Sequence, residues 1–211
     1  MEISKEELRR ALLKNCSEER LAAFESATVA ICGLGGLGSN IAVMLARAGV
    51  GKLILADFDK VEISNLNRQQ YKASQIGICK SSALCENLME INPFIRLKAY
   101  DKAITPCNAE EILSDADIIC EAFDKAENKA MLTNFVLENM PDKYLVASSG
   151  MAGFDSANKI KTRRISKRFY LCGDCVSDVG SNIGLASTRV MTCAAHQAHM
   201  ILRILSGEFD A

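Results

Sequence analysis

A glycine-rich segment early in the chain has the spacing of a phosphate-binding turn. The segment ICGLGGLGSN, residues 31–40, contains the pattern Gly33-x-Gly35-x-x-Gly38. This pattern lets a strand turn tightly into a helix whose first backbone N–H groups face a phosphate. A nicotinamide dinucleotide and a reacting ATP both satisfy these glycines, so the pattern alone does not distinguish an oxidoreductase from an enzyme that cleaves ATP.

Charged side chains after the second apolar segment favour chemistry at ATP. Asp57 follows Gly38 by about 20 residues, the separation at which an acid binds a ribose hydroxyl. Arg68 and Lys80 then add two cations. Hydride transfer does not need this pair, but attack at an ATP phosphate does, because negative charge must be neutralised as the nucleophile arrives and the leaving group departs. Asp124, after a later apolar segment, is placed to hold Mg²⁺.

These residues require a framework of parallel strands that brings them to one edge of a sheet. Apolar segments rich in Val, Ile and Leu alternate with helical segments, which is typical of a parallel sheet covered on both faces. Ligands bind such sheets at the carboxyl ends of the strands. We predict strands at residues 28–33, 52–59, 94–100, 115–124 and 143–150, and helices at 4–25, 37–48, 80–91 and 127–140. We also predict a short turn at 64–69 capped by Ser64 or Asn65, an antiparallel ribbon at 159–172 and a closing C-terminal helix at 185–205.

Composition limits the classes of protein that fit. The chain has 211 residues, is 49% hydrophobic and carries a formal net charge of -1. Its length predicts one domain, with residues 1–26 as an N-terminal helical arm and residues 27–211 as the nucleotide-binding domain. The near-neutral charge argues against a general binder of nucleic acid or membrane surfaces, the polar start argues against a signal peptide, and no apolar stretch is long enough to span a membrane. Nine cysteines, mostly single within apolar segments, predict reduced thiols in the cytoplasm.

Four motifs, in order, resemble the ThiF/MoeB group of sulfur-carrier adenylyltransferases, which are relatives of the ubiquitin-activating enzymes. They are GLGGLGSN, ADFDKVEISNLNRQ, the GICK that ends at Lys80, and EAFDKAENK around Asp124. The chain looks most like the compact ThiF-type members linked to thiamine synthesis, which implies a Rossmann-like α/β fold. The resemblance implies that the C-terminal Gly-Gly carboxylate of a ubiquitin-like, ThiS-like sulfur carrier attacks the α-phosphate of ATP, giving an acyl-adenylate and pyrophosphate.

The resemblance also implies a role for each motif in binding ATP. The glycines contact the nucleotide through their backbone, Asp57 binds the ribose, and residues 64–68 line the phosphates. Arg68 and Lys80 neutralise the charge of the triphosphate, and Asp124 holds Mg²⁺. The full set of expected nucleotide-binding residues is Gly33, Gly35, Gly36, Gly38, Asp57, Asp59, Ser64, Asn65, Arg68, Gln69, Lys80 and Asp124.

Two further implications of the resemblance concern the ends of the chain. An N-terminal arginine, Arg9 or Arg10, is expected to reach across a homodimer into the partner's site. In longer relatives a cysteine in a loop that crosses the active site takes the carrier into a thioester or an acyl-disulfide. Counting back from the last helix places that position near Gly180, and no cysteine lies between Val176 and Thr192. We therefore expect the reaction to stop at the acyl-adenylate, with a separate persulfide donor delivering the sulfur.

The pair Cys172-x-x-Cys175 has the spacing of half a zinc site. Many family members pair it with a second C-x-x-C, which this sequence lacks. His196 and His199 lie three residues apart on the predicted last helix and complete a possible Cys₂His₂ set. The alternative is that these are plain reduced thiols and packing or surface histidines.

Three other functions stay open at this point. They are a nicotinamide-dependent oxidoreductase, a sister activating enzyme for a molybdopterin-type carrier or a tRNA base, and a non-catalytic scaffold. The intact set of Asp57, Arg68, Lys80 and Asp124 argues against the scaffold. Residues 159–168 hold six basic residues and no acid, which is typical either of a solvated ribbon or of a surface that docks an acidic carrier.

Overall fold

A seven-stranded sheet in the order β3-β2-β1-β4-β5-β7-β6 forms the centre of the computed structural model, which describes residues 3–178 and 184–211. Neighbouring strands are parallel, except that β6 is antiparallel to β7. This confirms the predicted mostly parallel α/β sheet with a short antiparallel ribbon. The ribbon consists of β6 and β7, and β7 pairs with β5 of the parallel sheet. The strands are β1 (Thr28–Cys32), β2 (Lys52–Ala56), β3 (Arg96–Tyr100), β4 (Ile118–Glu121), β5 (Tyr144–Ser148), β6 (Lys161–Arg164) and β7 (Phe169–Gly173).

Helices cover both faces of this sheet because successive side chains of a strand point to opposite faces. In β1, Val29 and Ile31 belong to one apolar core, while Ala30 and Cys32 belong to the other. Helices α2, α3, α4 and α7 pack on the first face, and α5 and α6 pack on the second. No helix among the described residues has the length and apolar character needed to cross a bilayer. The helices are α1 (Lys5–Leu12), α2 (Glu18–Ser26), α3 (Gly38–Ala48), α4 (Lys80–Ile91), α5 (Ala109–Leu113), α6 (Ala126–Asn139) and α7 (Ser187–Leu205).

The strand order places a crevice between β1 and β4. The chain first builds outward from β1 to β2 and β3, then returns to the other side of β1 to build β4 and β5. Cys32 at the end of β1 lies opposite Glu121 at the end of β4. Because the loops after these two strands lead in opposite directions, they leave a gap at this edge, which is where ligands bind in sheets of this type.

The N-terminal region differs from the single helix predicted over residues 4–25. Helix α1 ends at Leu12, and α2 begins after Ser17, whose side-chain oxygen accepts a hydrogen bond of 3.3 Å from the backbone N–H of Arg20. Serine prefers such a cap to the interior of a helix, which explains the break. Helix α2 buries Leu21 and Phe24 in the core, whereas α1 buries no residue.

All five predicted strands of the parallel sheet were longer than the observed ones, and one helix was missed. The second strand ends at Ala56 rather than residue 59, because the Asp57 carboxylate accepts a 2.8 Å hydrogen bond from the N–H of Asp59 and turns the chain. The fourth strand covers only Ile118–Glu121. The short helix α5, Ala109–Leu113, was not predicted, since five residues are too few to show a helical period.

Candidate active site

The glycine-rich turn after β1 needs two of its glycines for steric reasons and presents a third to open space. Gly33 has φ +92°, and a Cβ there would lie 2.8 Å from the carbonyl oxygen of Ala122. A Cβ on Gly38 would lie 1.8 Å from the carbonyl oxygen of Gly33. At Gly35, by contrast, the nearest atom is the Gln69 Nε2 at 3.8 Å. The protein's own packing therefore leaves room at Gly35, as a backbone that a ligand approaches closely would require.

Two buried side chains hold this turn in place. The Oδ2 atom of Asp57 accepts a 2.6 Å hydrogen bond from the N–H of Leu34, and the hydroxyl of Tyr71 donates to the carbonyl of Leu34 at 2.7 Å. Burial raises the pKa of Asp57, and the backbone donors Leu34 and Asp59 lower it in opposition. Each Asp57 oxygen already accepts one hydrogen bond. A carboxylate oxygen can accept a second one, and a ribose hydroxyl would donate there.

The two predicted cations differ in their partners. Lys80 is 6% exposed, and its Nζ lies 2.9 Å from Oδ2 of Asp59. Arg68 donates through Nη1 to the carbonyl of Ser64 and to the Asn67 amide oxygen, both at 2.8 Å, and has no acidic partner among the described residues. The guanidinium of Arg68 therefore faces the cleft with its charge uncompensated, while Lys80 must share Asp59 with any phosphate that it contacts.

The segment just before Arg68 forms a 3₁₀ turn over Ile63–Asn65. The turn was predicted, but the caps were not: it begins at Glu62, and Asn65 reaches back so that its Oδ1 accepts from the N–H of Glu62 at 3.0 Å. Ser64 is exposed at the cleft. Further along, the Oε1 of Gln69 is buried without a hydrogen-bond partner in the described part of the chain. A buried polar atom without a partner carries a free-energy cost, and a ligand group or an ordered water at this atom would remove that cost.

A cleft of about 550 Å³ lies at this edge of the sheet and brings most of the predicted residues together. Asp124 is exposed there and forms no hydrogen bond or ion pair with another described residue. The described residues contain no cluster of three side chains that could hold a metal ion. One free carboxylate nevertheless fits Mg²⁺, which proteins commonly hold through one or two carboxylates plus nucleotide phosphates. The predicted residues that line the cleft are Gly33, Gly35, Gly36, Asp57, Asp59, Ser64, Asn65, Arg68, Gln69, Lys80 and Asp124.

An ion pair beside the cleft escaped the sequence analysis. The Glu121 carboxylate is 1% exposed at the end of β4, and the Nζ of Lys129 lies 3.0 and 3.1 Å from its two oxygens. Lys129 also donates to the carbonyl and hydroxyl oxygens of Ser148, and Glu121 accepts a 2.7 Å bond from the N–H of Phe123. The Glu121–Lys129 ion pair connects β4, β5 and α6, and it fixes the turn that carries Asp124. Its one sequence signal is an acid at the end of an otherwise apolar strand.

The predicted N-terminal arginines do not lie in the cleft. The Nε of Arg9 donates to Glu25 at 3.1 Å, and Arg9 also pairs with Glu18, which keeps it within the N-terminal arm. Arg10 pairs with Glu6 at 2.5 Å. The single chain does not test a role across a dimer, so that role stays a prediction.

The structure does not gather the predicted zinc ligands around the cysteine pair within residues 3–178 and 184–211. Cys172 is buried, its Sγ lies 3.6 Å from the hydroxyl of Thr162, and burial raises its thiol pKa to about 11. Cys175 is exposed, and no third metal ligand joins the pair among the described residues. His196 instead places Nδ1 3.0 Å from the same Thr162 hydroxyl, and His199 lines a different crevice. The expected position of a nucleophile near Gly180 lies outside the described residues.

A second crevice, of about 520 Å³, lies between the N-terminal helices and the C-terminal ends of α3 and α7. Arg47 and Arg203, which line it, lie in the last turns of those helices. Cations at such positions interact favourably with the helix dipole, and Arg20 and Arg203, which both line the crevice, also pair with Glu208.

The family profile described as the ThiF family matches residues 8–210 of the chain. The chain belongs to the ThiF family. It is similar to ubiquitin-like modifier-activating enzyme 5 of Caenorhabditis elegans, with 47% identity over 78 residues, which is 37% of this chain and 19% of that protein. It is also similar to tRNA threonylcarbamoyladenosine dehydratase of Escherichia coli (strain K12), with 31% identity over 152 residues, which is 71% of this chain and 56% of that protein.

Among solved structures, the chain resembles E. coli tRNA N6-threonylcarbamoyladenosine dehydratase, TcdA, in complex with ATP. The TM-score is 0.87 over 98% of both chains at 23% identity, which shows a shared fold. The aligned regions cover about a fifth of one of these curated relatives and just over half of the other. The family and the fold are therefore shown.

Proposed function

We propose that this protein is an ATP-dependent nucleotidyltransferase that adenylates the C-terminal Gly-Gly carboxylate of a ubiquitin-like, ThiS-like sulfur carrier in cytoplasmic thiamine synthesis. The observation that carries the proposal is the cleft itself. It joins an open glycine turn, the uncompensated guanidinium of Arg68 and the unpaired carboxylate of Asp124 at one strand edge. Membership of the ThiF family and the name of the worm relative, a ubiquitin-like modifier-activating enzyme, support the same class of reaction.

In this proposal the carrier's carboxylate oxygen attacks the α-phosphorus of ATP. A bond forms between that oxygen and phosphorus, the bond from phosphorus to the bridging oxygen of the β-phosphate breaks, and pyrophosphate leaves with the electron pair. Arg68 and Lys80 stabilise the charge that builds up on the phosphate oxygens. Lys80 is already oriented by Asp59 at 2.9 Å, so it needs no large rearrangement to meet the nucleotide.

Asp124 is the proposed ligand for Mg²⁺, together with oxygens of the nucleotide. Bound there, the ion supplies positive charge to the triphosphate. The Glu121 carboxylate of the Glu121–Lys129 ion pair fixes the backbone of Phe123, the residue before Asp124, and so limits where the Asp124 carboxylate can point. Gly35 and the Gln69 carboxamide are proposed to meet the nucleotide at the other wall of the cleft.

A homodimer completes the proposal, with Arg9 or Arg10 entering the partner's cleft. For Arg9 to do so, it must leave Glu18 and Glu25 of its own chain. Because the sequence holds no cysteine between Val176 and Thr192, we propose that the protein releases the acyl-adenylate to a separate persulfide donor rather than forming a covalent intermediate.

The rival with a specific observation behind it is activation of a tRNA base, since the E. coli tRNA dehydratase shares the fold over 98% of its solved chain. A net charge of -1 weighs against it, because RNA binding draws on many contacts from cations to phosphates. The test incubates the protein with ATP, Mg²⁺ and either a ThiS-like carrier, a molybdopterin-type carrier or bulk tRNA, and follows AMP attachment by intact mass or labelled ATP. AMP on the ThiS-like carrier is expected. AMP on tRNA alone, or on no substrate, contradicts the proposal.

A further inference from the structure

The asparagine that follows the glycine turn by two residues joins two backbone segments of the cleft. Asn40 is 5% exposed and lies in the first turn of α3. Its Nδ2 atom donates to the carbonyl of Gly36 at 2.6 Å and to the carbonyl of Arg68 at 2.9 Å. One carboxamide therefore connects the glycine turn to the backbone of the residue whose guanidinium faces the cleft uncompensated.

The side chain of Arg68 lies against the same part of the glycine turn. A Cβ at Gly36 would lie 3.6 Å from both the Cγ and the Cδ of Arg68, so the aliphatic stem of the arginine packs beside this glycine. The guanidinium then donates to the carbonyl of Ser64 and to the side chain of Asn67. The bond from Asn40 fixes the backbone end of this side chain, and Gly36 leaves the space that its stem needs.

Two further side chains fix the orientation of the Asn40 carboxamide and of the segment after Arg68. The Nε2 of Gln70 donates to the Oδ1 of Asn40 at 2.7 Å, which leaves the Nδ2 end facing the two carbonyls. The buried hydroxyl of Ser39 donates to the carbonyl of Gly35 at 2.7 Å and accepts from the N–H of Gln70 at 3.1 Å. Buried polar side chains whose hydrogen bonds are satisfied in this way specify one arrangement, so the segment is oriented before a nucleotide binds.

The same set of hydrogen bonds reaches the helix that begins with the second cation. Asn87 of α4 is buried, and its Nδ2 donates to the carbonyl of Gln70 at 2.7 Å. Its side chain also exchanges hydrogen bonds of 3.0 Å with the carboxamide of Gln75. Helix α4 begins at Lys80. The hydrogen bonds therefore connect the segment that carries Arg68 to the helix that carries Lys80.

We propose that Asn40 is a positioning residue for Arg68 and sets where its guanidinium meets the triphosphate. Ser39, Gln70 and Asn87 support Asn40 in this role. The inference rests on the proposed role of Arg68 in the reaction with ATP. A preorganised charge stabilises the transition state without reorganising during the reaction, and a displacement of about 1 Å can cost about 10²-fold in rate. Hydrogen bonds that served stability alone would affect folding but not the discrimination between ATP and AMP.

The first test compares the affinities for ATP and AMP by calorimetry in the presence of Mg²⁺ and needs no carrier. Asn40→Asp keeps the shape and the accepting oxygen of the side chain, but it replaces the donor to two carbonyls with a second oxygen. The matched control is Asn92→Asp. Asn92 is also buried, and its Nδ2 donates at 3.3 Å to the carbonyl of Ala46, at the other end of α3.

We expect Asn40→Asp to lower the ratio of ATP to AMP affinity at least about tenfold, close to the loss in Arg68→Ala, because a charge-assisted hydrogen bond to phosphate is lost. The double variant should lose little more than Arg68→Ala alone, since changes that act through one group are not additive. Asn92→Asp should lower the melting temperature and leave the ratio unchanged. Gln70→Leu, which removes the bond to Oδ1 of Asn40, should lower the ratio about threefold, and it decides the question alone if Asn40→Asp does not fold.

Three outcomes would overturn the positioning role. They are an unchanged ratio in the folded variants, a loss in the double variant equal to the product of the two separate losses, and an equal loss in Asn92→Asp. If Arg68→Ala itself leaves the ratio unchanged, the proposed roles of Arg68 and Asn40 are both wrong.

Exchange of labelled pyrophosphate into ATP at saturating carrier separates this inference from the proposed function. Asn40→Asp should lower the maximal exchange rate at least about tenfold, and Asn92→Asp should leave it unchanged. An unchanged maximal rate in Asn40→Asp also overturns the positioning role. Absence of exchange with every carrier, together with the expected change in the ratio of ATP to AMP affinity, contradicts the proposed function and supports the positioning role.

Discussion

Lys129→Met is predicted to destabilise the protein strongly, because it leaves the Glu121 carboxylate buried without its cation. Lys129 makes four contacts of 3.0–3.2 Å, two with Glu121 and two with Ser148, and Glu121 is 1% exposed. Removing one partner of a buried ion pair costs about 3–5 kcal/mol. For a chain of this size each kcal/mol lowers the melting temperature by about 2–4 °C, so the expected fall is roughly 6–20 °C.

Thermal and urea unfolding measure this effect, with Lys98→Met as the matched control. Lys98 is half exposed and lies 3.9 Å from Asp115, so its loss should cost much less than the loss of Lys129. The double variant Glu121→Leu with Lys129→Met should recover much of the stability, since replacing both partners removes the unpaired charge. A Lys129→Met effect no larger than the control, or a double variant less stable than the single one, would refute the reasoning.

The same variant has a predictable pH dependence. Burial raises the pKa of Glu121, and Lys129 opposes that shift. An acid with a raised pKa in the folded state favours folding at low pH, and that contribution is lost as pH rises through the folded-state value. Without Lys129 the pKa rises further, so the variant should lose more stability relative to the native protein at pH 8 than at pH 5. A penalty that shrinks as pH rises would contradict this sign.

Three other predictions concern the cleft, the last helix and the thiols. Arg68→Ala and Lys80→Ala should each lower adenylation about 10²–10³-fold with carrier binding unchanged; near-normal rates in a pyrophosphate-exchange assay would show that these charges are structural. Burial lowers the pKa of His196, so the folded state binds its proton less readily than the unfolded chain, and stability should rise with pH in the window below about 6.5; His196→Gln should flatten that slope in urea titrations. Iodoacetamide should label the exposed Cys107 and Cys175 in the native protein and leave Cys172 unlabelled until unfolding, as read by peptide mass; rapid native labelling of Cys172 would show that its burial is wrong.

Much of the fold could be predicted because local patterns specify it. Lys80–Ile91 was predicted to the residue, since a helix ends before a proline and Pro93 follows Asn92. The strands were recognisable from their apolar runs. The break between α1 and α2 was not predicted, because a helical period continues across it. Whether one helix or two forms depends on whether Ser17 lies inside a helix or caps a new one.

The sequence predicted which residues gather at the cleft, but not which hydrogen-bond and ion-pair partners these residues have. Glycine spacing and the order of strands place Gly33, Arg68 and Asp124 at one edge. The pairing of Lys80 with Asp59 depends on where two loops meet, which spacing does not report. The Glu121–Lys129 ion pair depends in addition on burial at the end of β4. The exposure of Phe154 depends on which side chains pack near it in the folded protein.

Carrier-dependent exchange of labelled pyrophosphate into ATP tests the central claim most directly, because it reports reversible formation of the acyl-adenylate. We predict exchange only when the protein, Mg²⁺ and a ThiS-like carrier with a free Gly-Gly end are all present, with none when the two glycines are removed. Absence of exchange with every carrier tested, accompanied by tight binding of a nicotinamide dinucleotide, would contradict the account.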